Sequence, residues 1–356
     1  MNRTISSTSL RQLMLDVFGR LGVPPEDAAT VAGILCEASL SGYDSHGVVR
    51  VAMYASDLRQ GRTRPEGELK LLRESAGSAH LDAGFSLGPL ACVRAFEIAA
   101  EKARASGCGC VTILNCTDVA RLGSYVGEPA LQGMVALMMV NDAGGNPAVA
   151  PLGGSAPFFS TNPVAAGIPW QPGNPIVMDF STSVAAAGKV KMAARSGEPV
   201  PEGWLIDAGG EPTRDPADFS IDGSKGALLP LGGPAAAHKG FALNMLVDVL
   251  AGVLSGAGAS TGLQPQEDHN VNGVFALVVD PGHFVSRAVF EGAVEQLVAG
   301  LKASRKAPGF DEILVPGERS HRERLRRERE GIPLDPETVA ELARLLEELG
   351  LPDSYD

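Results

Sequence analysis

Five cysteines serve the 356-residue chain, and no two of them form a C-x-x-C pair. Cys36, Cys92, Cys108, Cys110 and Cys116 therefore offer neither a zinc-type spacing nor an even disulfide framework. Cys108-Gly109-Cys110 falls in an expected buried strand, where thiols pack as small apolar groups. No apolar run is long enough to span a bilayer and no signal peptide opens the chain, so a reduced, cytoplasmic protein with no membrane partner is expected. Positive charge is also short: 30 Lys+Arg stand against 42 Asp+Glu, a net charge of -12. A nucleic-acid binder needs a basic face, which sets that class aside. An anionic small molecule remains admissible, because one local cation outweighs a distant negative average that is screened beyond ~10 Å.

What is present is a globular composition. With 44% hydrophobic residues the chain can bury a large core as two domains, or as one with a lobe, and its 43 Gly and 25 Pro suggest many ordered turns. A first helix is expected through Leu10, Leu13, Met14, Val17, Phe18 and Leu21 with Ser9 as cap. A second is opened by Pro24-Pro25-Glu26-Asp27 and stopped at Gly42. Strand character runs from Leu69 to Ala83, a helix from Gly88-Pro89 to Gly107, a buried strand from Cys108 to Asn115, a helix from Gly123 to Leu131 and a strand from Met134 to Asn141. This strand-helix-strand unit has no G-x-G-x-x-G between strand and helix, and no G-x-x-x-x-G-K-S/T occurs anywhere, so neither a Rossmann domain nor a P-loop is supported. Beyond a Gly/Pro-rich connection at 142–163, strands are expected at Val164–Pro169 and Ile176–Phe180, a helix at Ser183–Ala194 and a hairpin around Gly209-Gly210. An apolar helix with His238-Lys239-Gly240 at its mouth follows. The rest reads as a strand at Gly273–Pro281, a helix at Phe284–Leu301, a short strand at Ile313–Pro316, and charged helices at Glu318–Glu330 and Pro336–Leu349. Arg322, Arg324, Arg326 and Arg327 are expected on a solvated ion-pair face.

One short stretch carries chemistry: Ser41-Gly42-Tyr43-Asp44-Ser45-His46-Gly47-Val48-Val49-Arg50. With Asp44 or Ser45 as cap, His46 would lie in the first turn of a helix, where free N–H groups favour an anion, and Arg50 would share its face four residues on. Arg50 can then grip a carboxylate while His46 exchanges a proton with the oxygen on the neighbouring carbon. Taken alone, the pair reads equally as a solvated helix charge beside a hydrogen-bonded histidine. Lone His80, His269, His283 and His321 carry no spacing signal. Glu267, Asp268 and His269 could be taken as metal ligands, but they sit in a polar loop and no metal is expected.

The Asp44-Ser45-His46-Gly47-x-x-Arg50 run resembles the signature of the type-2 malate/L-lactate dehydrogenase family. Further landmarks follow in order: Gly153-Gly154, Thr161-Asn162-Pro163, Met178-Asp179-Phe180-Ser181-Thr182-Ser183 with Gly188-Lys189, Gly203-Trp204, Leu229 through Gly233, His238-Lys239-Gly240, Asp280-Pro281 and Pro316-Gly317-Glu318. The resemblance implies an α/β (α+β) fold with a mixed sheet and helices, unlike the Rossmann type. In it, residues 1–75 and 295–356 form a helical domain carrying the catalytic histidine, and 76–294 a cofactor-binding domain. It also implies a homodimer that uses NAD or NADP to transfer hydride at C2 of a small 2-oxo/2-hydroxy acid. His46 would be the general acid/base with Ser45 orienting its ring. Arg50, Asp118 and Thr161 would meet substrate. Asp118, Val119, Leu122, Asp142, Met178, Asp179, Phe180, His238, Lys239, Pro316, Gly317 and Glu318 would line the cofactor. Asp179 at a strand end can equally cap a following helix, or do both, and a lysine at a helix mouth can meet a phosphate.

Two departures mark this chain. Where the family usually has His-Phe-Gly after the strand at Cys108–Asn115, it has Asp118-Val119-Ala120, and where a Gly-His commonly begins the strand before Asp280-Pro281 it has Gly273-Val274. An anionic Asp118 near the reacting carbon disfavours a diacid and favours a cationic or hydroxyl-rich group such as an iminium carbon or a polyol keto acid. Against the imine branch, cyclic-imine reductases of the family tend to carry an acid where this chain has Lys189. The rivals are a reductase of a 2-imino acid, a dehydrogenase-like binding protein without turnover, and a metal hydrolase built on His46, Asp44 and Asp118, which lacks any histidine cluster of ligand spacing.

Overall fold

The structure is a computed structural model that describes residues 3–143, 145–220, 223–260, 271–353 and 355. Gly144 of the Gly/Pro-rich connection and the stretch holding Glu267, Asp268 and His269 lie outside the described residues. The chain begins with β1 (Arg3–Ile5), α1 (Ser7–Arg20), α2 (Pro25–Leu40), α3 (Arg50–Arg59), β2 (Lys70–Glu74), β3 (Ser78–Asp82), α4 (Gly88–Ser106) and β4 (Cys108–Cys116). It continues with α5 (Gly123–Leu131), β5 (Val135–Asp142), β6 (Val164–Gln171), β7 (Asn174–Phe180), α6 (Ala187–Ser196), β8 (Leu205–Ile206), β9 (Pro212–Thr213) and β10 (Ala227–Leu228). It closes with α7 (Gly233–Val247), β11 (Asn272–Val279), α8 (Arg287–Ala303), α9 (Glu318–Glu330), β12 (Ile332–Leu334) and α10 (Pro336–Leu349).

A seven-stranded mixed sheet in the order β2-β3-β4-β11-β5-β6-β7 is the frame. Only β3 and β4 pair in parallel; the other pairings are antiparallel. The expected strand-helix-strand unit is present, yet β4 and β5 are not neighbours: β11 lies between them, antiparallel to both. The registers align strand ends along one edge. Asn272 of β11 faces Cys116 on one side and Asp142 on the other, while Val164 of β6 faces Met139 and Phe180. Residues just past β4, at the end of β5, just before β6 and at the end of β7 therefore gather there.

The two largest apolar cores flank this arrangement. One is built from both ends of the chain, with Leu10, Met14, Phe18, Leu35, Val51, Ile332 and Leu346 buried together and β1 paired to β12. The other lies between α4, α5 and the sheet. A pairing as distant as β1 with β12 carries no local sequence signal, and neither three-residue strand was expected.

Several local expectations are corrected. Ser6, not Ser9, caps α1, its side chain accepting from the Ser9 N–H. Residues 183–186 precede α6, and Ile313–Pro316 is not a strand, although the Val177 N–H donates to the Pro316 carbonyl. Arg327 is buried rather than solvated: it donates to the Ser39 carbonyl and pairs with Asp44. Its neighbours Arg324 and Arg326 do form exposed pairs with glutamates.

The largest correction concerns His46. Helix α2 ends at Gly42 (φ 83), with the Tyr43 N–H closing on the Ala38 carbonyl at 2.9 Å. Asp44–His46 then form a separate 3-10 turn and α3 begins only at Arg50, so His46 is not in the first turn of an α-helix. Gly47 is the cause. It lies so close to α2 that a Cβ would meet Ser39 Oγ at 2.1 Å and the Leu35 carbonyl at 3.0 Å. Ser39 Oγ accepts the Val48 N–H from the same face at 2.9 Å.

Replacing Gly47 with Ala must push this turn off α2. We expect a loss of about 1–3 kcal/mol, the usual cost of overpacking a tight contact, read as a lower denaturation midpoint in urea with an unchanged slope. A fully stable variant would show that the close approach does not hold the turn.

Candidate active site

His46, Arg50 and Asp118 converge although they come from a turn, a helix start and the link after β4. Tyr54, one helical turn beyond Arg50 and itself buried, donates its hydroxyl to Asp118 Oδ1 at 2.8 Å and to the Asp118 carbonyl at 2.9 Å. The Ala120 N–H donates to the same Oδ1 at 3.0 Å. Asp118 Oδ2 is left facing Arg50 Nη1 at 3.5 Å. That separation exceeds the roughly 2.7–2.9 Å of a charge-assisted hydrogen bond, and Arg50 Nε is buried without an acceptor. Arg50 Nη1 also donates to Met53 Sδ at 3.3 Å, so Nε is the donor left without a partner. Beside it, Ser45 Oγ and His46 Nδ1 are 2.9 Å apart, which fixes the ring plane and leaves Nε2 for another partner.

Electrostatics sort the protonation states. Burial, then the neighbouring Arg50 guanidinium, pushes His46 down to about 4, with Asp118 working the other way. Burial alone would raise Asp118, but Arg50 and the Tyr54 hydroxyl outweigh it and hold the carboxyl below its ordinary value. Near neutrality the cluster is a neutral imidazole close enough to a guanidinium and a carboxylate to feel both charges.

Behind it lies a second group that the sequence did not suggest. Arg121, only 5% exposed, donates to both oxygens of Glu37 on α2 at 2.9 and 3.1 Å and lies 3.5 Å from Asp179 Oδ2. Its guanidinium stacks on the Tyr43 ring at 4.1 Å, and the Tyr43 carbonyl accepts the His46 N–H. Ser41 and Ser124 also donate to Glu37. Although burial opposes ionisation, Arg121 and these hydroxyls keep the Glu37 carboxyl below its ordinary value. The clamp ties the helical block and the His46 turn to the sheet edge. A lone charge within each apolar stretch was its sequence signal.

The remaining expected residues lie just past β4, at the end of β5, ahead of β6, on β7, in α7 and ahead of or at the start of α9. Asp142, at the end of β5, accepts from the Gly145 N–H at 3.0 Å and Asn146 Nδ2 at 2.6 Å; burial raises its pKa despite these bonds. Asp179 does cap a helix, but α5 rather than the helix that follows it, by accepting the Gly123 N–H at 2.8 Å. Burial lifts its pKa as well. Thr161 is half-buried ahead of β6, with its carbonyl held by Thr182. Val119 and Leu122 are buried in the sheet core, so a ligand would meet them through backbone. Met178 packs near Val298 and Val315, whereas Phe180 is 41% exposed at the strand end. His238 and Lys239 are exposed. A break in α7 at Ala236 (φ -146, ψ 24) places them just inside a fresh helix start. Gly317 approaches the backbone of Val177, where a Cβ would lie 2.8 Å from its nitrogen. Glu318 holds Lys302 Nζ and the Val315 N–H.

A buried polar cluster seats the loop before β6. Asn162 (φ 34) donates to Asn244 Oδ1 at 2.7 Å, and Asn244 donates to the Ser160 carbonyl. Asp248, opening a π-helical segment after α7, accepts from Asn141 at 3.1 Å and from Ser260 Oγ at 2.7 Å. No group of three or more metal-ligating side chains exists among the described residues, and no described helix is long and apolar enough to cross a membrane.

The chain is a non-Rossmann mixed sheet of the α/β class, with a hydrogen-bonded imidazole, a guanidinium and several acidic groups gathered toward one end of its strands. Residues 5–343 match the family described as malate/L-lactate dehydrogenase. A malate dehydrogenase of Pyrococcus abyssi is 34% identical over 351 residues, covering 98% of this chain and 95% of that protein. The crystal structure of malate dehydrogenase from Entamoeba histolytica superposes with a TM-score of 0.94 at 26% identity, covering 99% of each chain. A delta1-piperideine-2-carboxylate reductase from Pseudomonas syringae gives 0.80 at 34% identity, covering 96% of this chain and 99% of that one. The chain belongs to the malate/L-lactate dehydrogenase family, and is an NAD(P)-dependent oxidoreductase of that kind.

Removing the Arg121 charge as Arg121→Met strands two carboxylates. We expect a loss of roughly 2–4 kcal/mol, as when one partner of a buried pair is deleted, partly recovered by adding Glu37→Gln. Urea unfolding of the double-mutant cycle reads this coupling; strictly additive losses would show that the clamp is not a unit.

Proposed function

We propose that the protein transfers hydride between NAD or NADP and C2 of a small 2-oxo/2-hydroxy acid, with His46 as general acid/base and Arg50 as carboxylate anchor. The observation that carries this reading is the meeting of His46, Arg50 and Asp118 at the sheet edge, with Arg50 Nε lacking an acceptor. A bound nicotinamide supplies the hydride chemistry. The residues of the edge suit such a group: exposed His238 and Lys239 at a helix start match a diphosphate, the exposed Phe180 ring offers a flat apolar surface, and Asp179 and Asp142 offer acceptors for hydroxyl or amide groups. Val119, Leu122, Met178, Pro316, Gly317 and Glu318 would shape the wall behind it.

In reduction, Arg50 holds the substrate carboxylate and turns the C2 oxygen toward His46, and Thr161 closes the other side of the site. As the carbon–oxygen π pair moves to oxygen, protonated His46 releases its proton there, so the alcohol forms without a free alkoxide. In oxidation, neutral His46 takes the hydroxyl proton. Ser45 keeps the ring oriented through both steps. The Pseudomonas imine reductase likeness and the anionic Asp118 support a second reading, in which the C2 group is an imine. A dehydrogenase-like protein that binds cofactor without turnover would show binding and no oxidation in any mixture.

Homodimer formation is supported by Met245, Leu246, Val249, Val253 and Leu254, exposed apolar residues at helical spacing on α7 and its π-helical extension. A reduced, cytoplasmic setting fits five cysteines, none of them in a disulfide.

His46→Ala should lower kcat by about 10²–10⁴, the range for a lost acid/base group, while leaving the NADH or NADPH dissociation constant within a factor of about two. Arg50→Ala should act chiefly on KM for the carboxylate. Near-normal turnover in the His46 variant would remove the assignment.

The pH dependence carries a sign. Because the free-enzyme imidazole is pushed down to about 4, kcat/KM for oxidation should hold steady to well below pH 6 and fall only as pH drops toward 4. The same quantity for reduction, which needs the protonated ring, should climb as pH falls. An oxidation limb centred on the ordinary histidine value of about 6.5 would contradict it.

A further inference from the structure

We propose that Asp118 sets the substrate class: the site takes monocarboxylates bearing a hydroxyl or other hydrogen-bond donor at the far end and turns away dianions. This rests on the reading of Arg50 as carboxylate anchor and deepens it. Tyr54 and the Ala120 N–H fix Asp118 Oδ1, so Oδ2 is the oxygen turned toward Arg50, at 3.5 Å from Nη1. Arg50 and Asp118 cancel, and the proton that His46 carries in reduction is directed to the C2 oxygen rather than to the far end of the substrate. A substrate carboxylate on Arg50 then meets one fixed negative charge nearby, and a second carboxylate on the same substrate would face Asp118, which among the described residues pairs with no cation besides Arg50. Arg121, the other guanidinium of this region, is already outnumbered by Glu37 and Asp179. A hydroxyl, by contrast, can donate to Oδ2 without charge.

The discriminating comparison uses the full chain with NADH and with NADPH against hydroxypyruvate, pyruvate and oxaloacetate. Wild-type kcat/KM should favour hydroxypyruvate over oxaloacetate by about tenfold or more, equal to ~1.4 kcal/mol. Asp118→Asn and Asp118→His should each shrink that ratio at least tenfold. A wild-type preference for oxaloacetate, or a ratio that neither variant moves, overturns the proposal.

Calorimetry with the cofactor-loaded protein separates this from the general reading. Glycolate should bind tighter than malonate, and the gap should close in Asp118→Asn. If none of the three oxo acids is reduced but this order holds, the hydride-transfer reading fails and the charge selection stands. Equal binding of glycolate and malonate, or no binding of either, counts against Asp118 as the selector.

Discussion

Everything proposed for this chain turns on a contact that spans the two cores: the Arg50 guanidinium against the Asp118 carboxylate, with Tyr54 bracing it from below. Arg50 and Tyr54 ride on α3, in the core built from the chain ends, while Asp118 hangs from β4 of the sheet. The contact is close enough for Arg50 to hold Asp118 ionised, while burial, helped by Arg50, keeps His46 neutral. Ion pairs that are already ideal have little left to offer a ligand. This one is incomplete, and the proposed function draws on that incompleteness.

Such a loose pair needs stiff surroundings, and two clamps supply them. Arg327, from the far end of the chain, joins Asp44 to the end of α2 and fixes the front of the His46 turn. Arg121 stacks on Tyr43 and bridges Glu37 to Asp179, fixing its back. One left-handed, non-glycine residue lies in the same place. Ala120 adopts φ 57 where a glycine would sit at ease, and it does so two residues from Asp118, whose carboxylate accepts its N–H.

Much of the fold was legible because its signals are local. The bounds of α5, α9 and α10 follow from Gly123, Glu318 and Pro336 and from helical periodicity, and the strands at Cys108 and Val164 follow from apolar runs between turns. The features that escaped are those set by distant partners. Gly47 looks like any turn glycine until α2 is packed against it, and only that contact moves the start of the helix to Arg50. Arg327 reads as one charge among many on a polar helix, yet Asp44 and Ser39 lie beneath it. The pairing of β1 with β12 joins segments more than three hundred residues apart.

The site divides along the same line. His46, Ser45 and Arg50 were visible as a spaced set, and the substitution at Asp118 stood out against the family pattern. Tyr54, Glu37 and Arg121 were hidden inside apolar helices and turns, since nothing in a linear pattern says which polar side chain will be buried beside which. The most direct test of the coupling between His46 and Arg50 is a nitrogen-detected NMR titration of the His46 ring, assigned by its loss in the alanine variant, with and without a bound monocarboxylate. The account predicts titration near pH 4 in the free protein and an upward shift when a carboxylate sits on Arg50. A ring that titrates near its ordinary ~6.5 and ignores the carboxylate would contradict it.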